Sequence, residues 1–133
     1  MTAMYSWTTA VTVLSLLVYL GTVLAVGRSR ATLKIPAPSV TGPPEFERRF
    51  RVQQNTLEQI VLFLPALWLY AHFHGDVWAA IVGVVWPVGR IVYATRYYAD
   101  PEKRGPGFLL TFAPTAVLLI GDVYGAAMPL WRG

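Results

Sequence analysis

The chain has 133 residues, 55% of them apolar, with eleven basic and seven acidic side chains and a formal charge of +4; that suits one domain, but one more apolar than most soluble proteins. Eleven glycines and ten prolines punctuate long apolar runs without forming a low-complexity tract, which excludes collagen and disorder. With no cysteine and only His72 and His74, a disulfide-stapled module, a thiol nucleophile and a metal centre built on Cys or His are excluded as well, leaving a small integral membrane protein.

Residues 1–27 carry no charge, and Trp7 to Val26 alone supplies the ~20 residues that cross a hydrocarbon core. A cleaved secretory signal would place positive charge ahead of its apolar run, whereas Arg28 and Arg30 follow it. The first helix is predicted over about 5–28. A longer connection with Pro36, Pro38, Gly42, Pro43 and Pro44 leads to a second helix over about 44–73. Its start has proline in the first turn and Glu45 and Glu47 facing the positive dipole end. His72 to Asp76 is short enough to force an antiparallel hairpin into a third helix over about 77–99. Within that hairpin the two histidines read as solvated turn residues. Asp100-Pro101 and Gly105-Pro106-Gly107 separate the third helix from a fourth over about 105–131. Asp122, the one charge inside the fourth apolar run, is expected near the outer surface within reach of water. Pro65, Pro87, Pro114 and Pro129 lie inside apolar stretches, as membrane helices tolerate. The expectation is one all-α membrane domain over 1–133, a bundle of four transmembrane helices with no internal repeat and no heptad seam.

Arg28, Arg30, Lys34, Arg48, Arg49 and Arg51 lie on or beside the first connection, and Arg90, Arg96, Lys103 and Arg104 on or beside the third; Arg132 alone falls on the other side. By the positive-inside rule both connections face the cytoplasm and both termini face away. Anionic headgroups and topology therefore account for the positive charge. With no soluble basic face, no nucleic-acid partner is expected.

Arg51, Asn55 and Glu58 follow i, i+4, i+7 and share one face of the second helix. From Arg51 to Glu58 is ~10 Å along the axis, the span of about three extended residues. A cation, an amide and a carboxylate in that row suit a small zwitterionic peptide. The competing reading has Arg51 reaching lipid phosphate and Glu58 paired with Arg90 inside the bundle, because a lone carboxylate in the membrane costs ~2.5–3.5 kcal/mol. Arg90, Tyr93 and Tyr97 form a second stripe, i, i+3, i+7; tyrosines there serve either as interfacial anchors or as ligands. Arg104 by itself is a loop cation.

The run from Gly42 to Arg48, continued by Arg51 to Glu58, closely resembles a motif of the MAPEG family, the membrane-associated proteins of eicosanoid and glutathione metabolism. The likeness extends through Phe63 to Trp68, Arg90 to Tyr93, Tyr97, and Arg104 to Phe108, the last as in bacterial members. It implies a homotrimer of four-helix subunits in a bacterial inner membrane, binding glutathione at the cytoplasmic edge between neighbouring subunits. On that likeness Arg51, Asn55, Glu58, Tyr93 and Tyr97 contact the tripeptide from one subunit, and Arg30 and Gln53 from the next. Arg104 then lies by the sulfur and stabilises the thiolate, Arg90 is structural, and no metal takes part. Gln59 stands where the leukotriene-conjugating branch has tyrosine, and Ala31 where it has an arginine assigned to proton delivery, so that reaction is not implied. The implied function is conjugation of glutathione to a lipophilic electrophile arriving from membrane lipid, with reduction of lipid hydroperoxides as a second expected activity. Two alternatives are a non-catalytic lipid-binding scaffold of the same fold and a small multidrug exporter. Such exporters centre on a carboxylate in the first helix, and residues 1–27 have none.

Overall fold

The computed structural model describes residues 4–132. Among the described residues there are five α-helices and one 3-10 turn: α1 Ser6–Leu33, α2 Pro44–His74, α3 Asp76–Gly83, α4 Val85–Ala99, the turn Pro101–Arg104, and α5 Gly105–Arg132. They provide 4 apolar spans of membrane length, Ser6–Leu33, Pro44–His74, Asp76–Ala99 and Pro101–Trp131. The four predicted spans are present, with two changes of outline. Helix α1 runs on to Leu33 rather than ending near residue 28, because nothing between Arg28 and Leu33 breaks a helix. It stops where Lys34 turns left-handed (φ 55°) and its N–H bonds the Arg30 carbonyl. The third span is split at Val84. Pro87 lacks an N–H and its ring crowds the carbonyl four residues earlier, that of Gly83, where α3 ends.

The core is organised around α2. Phe63 stacks on Trp86 of α4 with centroids 4.6 Å apart, and Leu67 and Leu118 complete the fully buried centre. Thr8, Ser15, Thr22 and Ser29 are all buried on the inner face of α1, seven residues apart, while Leu17, Leu20 and Leu24 face outward. A heptad repeat exists after all, carried by small hydroxyl residues with Val11 and Val26 buried beside them. Lipid is as apolar as leucine, so the inward face is chosen by close packing and by satisfied hydroxyls. Ser15 donates to the Val11 carbonyl at 2.8 Å and Thr22 to the Tyr19 carbonyl at 2.6 Å. Helices α4 and α5 meet at two glycines. A Cβ on Gly89 would lie 2.7 Å from Leu110 Cβ, and one on Gly107 would collide with the Tyr93 backbone.

At the end of the bundle that holds the Gly75 hairpin, Asp76 and His74 find partners on other helices. Asp76 accepts from the N–H groups of Thr8 at 2.7 Å and Trp7 at 3.1 Å, capping α1 from across the hairpin. His74 is not a solvated turn residue: its Nε2 sits 2.8 Å from the Gly121 carbonyl, and its ring lies against Tyr70 and Tyr124. Asp122 is likewise not at the surface; it is buried on the inner face of α5, four residues beyond Leu118.

Candidate functional site

The opposite, basic end of the bundle is open. Between α2, α4 and the 3-10 turn lies a cavity of about 780 Å³. Helix α2 supplies Glu47, Phe50, Arg51, Gln54, Asn55 and Glu58, positions i, i+3, i+4, i+7, i+8 and i+11, which is one continuous helical face. At about 1.5 Å per residue that face is ~17 Å long. Helix α4 adds Tyr93 and Tyr97, whose rings lie 5.6 Å apart, and the 3-10 turn adds Arg104. Val40 and Thr41, from the connection after α1, form the remaining wall.

The local sequence explains how Arg104 reaches the cavity. Asp100 leaves the helical conformation before Pro101, and its Oδ1 accepts from the Glu102 N–H at 3.0 Å, starting the 3-10 turn. Arg104 Nη1 then donates to the Pro101 carbonyl at 2.8 Å, fixing the base of the guanidinium within its own turn. Arg48 ties this corner to α2 by donating to the carbonyls of Tyr98 and Ala99, both at 3.3 Å, at the C-terminus of α4. The clash that a Gly107 side chain would cause shows how closely α5 begins against Tyr93.

Six of the residues singled out from sequence therefore come together here: Arg51, Asn55, Glu58, Tyr93, Tyr97 and Arg104. Arg30 and Gln53 do not line the cavity of their own chain. Arg30 donates to the Ser39 carbonyl at 2.8 Å and lies 5.0 Å over the Phe46 ring, pinning the connection after α1. Gln53 is half-buried elsewhere on α2. Glu47, Phe50 and Gln54 were not singled out. Their spacing from Arg51 (i−4, i−1, i+3) was the available signal, and Glu47 was read only as an acid at a helix start.

The expected Arg90–Glu58 ion pair is not formed. Among the described residues the one salt bridge is Arg49–Glu45, at 2.6 Å. Arg90 is 1% exposed and donates instead to Thr56 Oγ1 at 2.7 Å, Asn55 Oδ1 at 2.9 Å and Thr111 Oγ1 at 3.4 Å. Its guanidinium also sits 4.1 Å from the Tyr93 ring centroid. Neutral oxygens and aromatic faces surround this cation, which leaves Glu58 on the exposed side of α2, facing the cavity. Among the described residues neither Arg51 nor Glu58 has a hydrogen-bond or ion-pair partner within the chain. The cavity thus offers an unpaired cation, Arg51, and an unpaired acid, Glu58, on one rigid helix, complementary to a small molecule bearing both charges. Among the described residues no group of three or more metal-ligating side chains is assembled.

The model of the MAPEG family matches residues 8–124. An uncharacterized protein of Synechocystis sp. is 46% identical over 126 residues, 95% of this chain and 90% of that one. Human microsomal glutathione S-transferase 2 is 38% identical over 104 residues, covering 78% of this chain and 71% of its own length. Rat leukotriene C4 synthase is 36% identical over 121 residues, covering 91% and 71%.

Proposed function

The chain belongs to the MAPEG family, and from that premise we propose that it is a membrane-bound glutathione transferase that conjugates glutathione to lipophilic electrophiles. One observation carries the reading: a single cavity gathers Arg51, Asn55, Glu58, Tyr93, Tyr97 and Arg104. Glutathione has two carboxylates, one ammonium and a thiol. Arg51 and the Asn55 amide suit carboxylate oxygens, Glu58 suits the ammonium, and the tyrosines wall the peptide. In the proposed assembly, a homotrimer, Arg30 and Gln53 reach the tripeptide from the next subunit. In the proposed setting, a bacterial inner membrane, the cavity opens to the cytoplasm and both termini lie on the other side, an orientation that the distribution of basic residues supports.

Arg104 is the proposed catalytic residue. A free thiol with a pKa of ~8.5 is only a few per cent thiolate at neutral pH. A guanidinium beside the sulfur favours the anion, and each unit of depression corresponds to ~1.36 kcal/mol. Arginine suits the task because it stays charged and does not compete for the proton. With an aryl chloride the thiolate forms the carbon–sulfur bond, chloride leaves with the bonding pair, and the thiol proton has gone to water. With a lipid hydroperoxide, two glutathione molecules yield the alcohol, water and the disulfide.

Conjugation of 1-chloro-2,4-dinitrobenzene by the detergent-purified protein tests the proposal. Wild type is expected to turn over, and Arg104→Ala to lose about 100-fold in kcat at neutral pH, the scale for removing an electrostatic stabiliser. The variant should regain rate as pH rises past the free thiol's ~8.5, while wild type stays flatter. Equal rates in the two proteins would remove Arg104 from the mechanism.

A further inference from the structure

Arg90 is buried among neutral groups with no carboxylate to balance it. A buried cation without a counter-ion is costly, even where π faces and hydroxyls surround it. Buried ions can often be replaced by well-packed apolar side chains at no cost in stability. The groups that Arg90 touches suggest what it contributes. Thr56 and Thr111 spend their own protons on the helix carbonyls of Val52 (2.7 Å) and Gly107 (2.9 Å), so their lone pairs are what face the guanidinium. The third acceptor is Asn55, and Asn55 lines the cavity.

Arginine has donors and no acceptor. The atom of the Asn55 amide that faces Arg90 must therefore be the oxygen, and the orientation of the amide is settled by its neighbour. Both N–H donors of Asn55 are left over, and among the described residues they have no partner within the chain. Drawing on the oxygen of an amide also polarises its N–H groups, so the chain Arg90–Asn55–ligand is a cooperative one. The same guanidinium lies 4.1 Å from the Tyr93 ring centroid, so one buried cation holds two walls of the cavity, one on α2 and one on α4.

We propose that Arg90 is a positioning residue that fixes Asn55 as a hydrogen-bond donor toward the ligand and thereby makes the cavity selective for a carboxylate at that point. The inference rests on the glutathione reading above and specifies the polarity of one of its contacts. A ligand ammonium is refused there, and an ester, whose carbonyl is a weaker acceptor than a carboxylate, is taken less well.

The test compares the affinities of glutathione and glutathione diethyl ester, by calorimetry on the detergent-solubilised protein, for wild type, Arg90→Lys, Arg90→Met and Asn55→Asp. Wild type prefers glutathione. Arg90→Met shrinks that preference by about tenfold, the scale of one charge-assisted hydrogen bond, and Arg90→Lys restores part of it. A role in packing alone would weaken both ligands by the same factor and leave the preference unchanged, and that result overturns the proposal. Should Arg90→Met fail to fold, Asn55→Asp decides, since it keeps an oxygen for Arg90 while turning the ligand-side donor into an acceptor. It is expected to lose at least tenfold in affinity for glutathione and little for the ester; undiminished glutathione affinity overturns the proposal. No glutathione binding by wild type would overturn the transferase reading and this inference with it, whereas an unchanged preference in the Arg90 variants would overturn the inference alone.

Discussion

Two pairs of polar side chains at opposite ends of the bundle are used in opposite ways. At the hairpin end Asp76 accepts two backbone N–H groups of α1, and His74 meets a backbone carbonyl of α5. At the basic end Arg51 and Glu58, on the same long helix as His74, are left without partners beside a cavity of about 780 Å³. A buried or interfacial polar group that finds a partner in its own chain stabilises the fold. One held on a rigid helix without a partner is available to a ligand. The contrast separates residues that hold this protein together from those that bind.

Substitutions at the two ends should accordingly move different observables. The largest effect is expected at the basic end, where removal of both charges in Arg51→Ala/Glu58→Ala lowers affinity for glutathione at least 100-fold. Thermal unfolding in detergent should barely change, because no intrachain contact is lost. A large drop in melting temperature would mean the two side chains are structural, and the contrast would fail. Next comes Gly107→Ala, which sits between the two classes: its Cβ runs into the Tyr93 backbone, so it should cost about 1–3 kcal/mol through overpacking and raise the KM for glutathione together. Scanning fluorimetry alongside steady-state kinetics reads both. Asp76→Ala should lower stability by about 1 kcal/mol, the value of an N-cap, and leave kcat and KM unchanged below the melting temperature. The smallest effect is expected for Thr22→Val, which removes a hydroxyl bonded only within its own helix and should alter stability by under about 0.5 kcal/mol.

Much of this was legible in the sequence. Length and hydropathy alone place four spans, and the row Arg51, Asn55, Glu58 can be read because helical period needs no tertiary knowledge. The seam on α1 could not be seen by looking for apolar repeats. In a bilayer the outward face is the apolar one, and the inward positions that repeat every seven residues are small hydroxyl residues that score as ordinary polar interruptions. The partner of Arg90 was misread for a related reason. Pairing opposite charges is the natural expectation from sequence, yet threonine and asparagine oxygens at the right depth accept from the terminal nitrogens of the guanidinium, and Glu58 faces the cavity. The cap that Asp76 places on α1 joins residues 68 and 69 apart in the chain, a contact without local signal. Glu47 and Gln54 were within reach, since they extend the same face of α2 that the row had already defined.

Calorimetric titration of the detergent-solubilised protein with glutathione tests the central claim most directly. Saturable heat is expected with the wild-type protein, and its loss in the Arg51→Ala/Glu58→Ala protein with the fold intact. No heat with wild type, as a non-catalytic lipid-binding scaffold would give, or equal affinity in both proteins, would contradict the assignment of this cavity as the glutathione site.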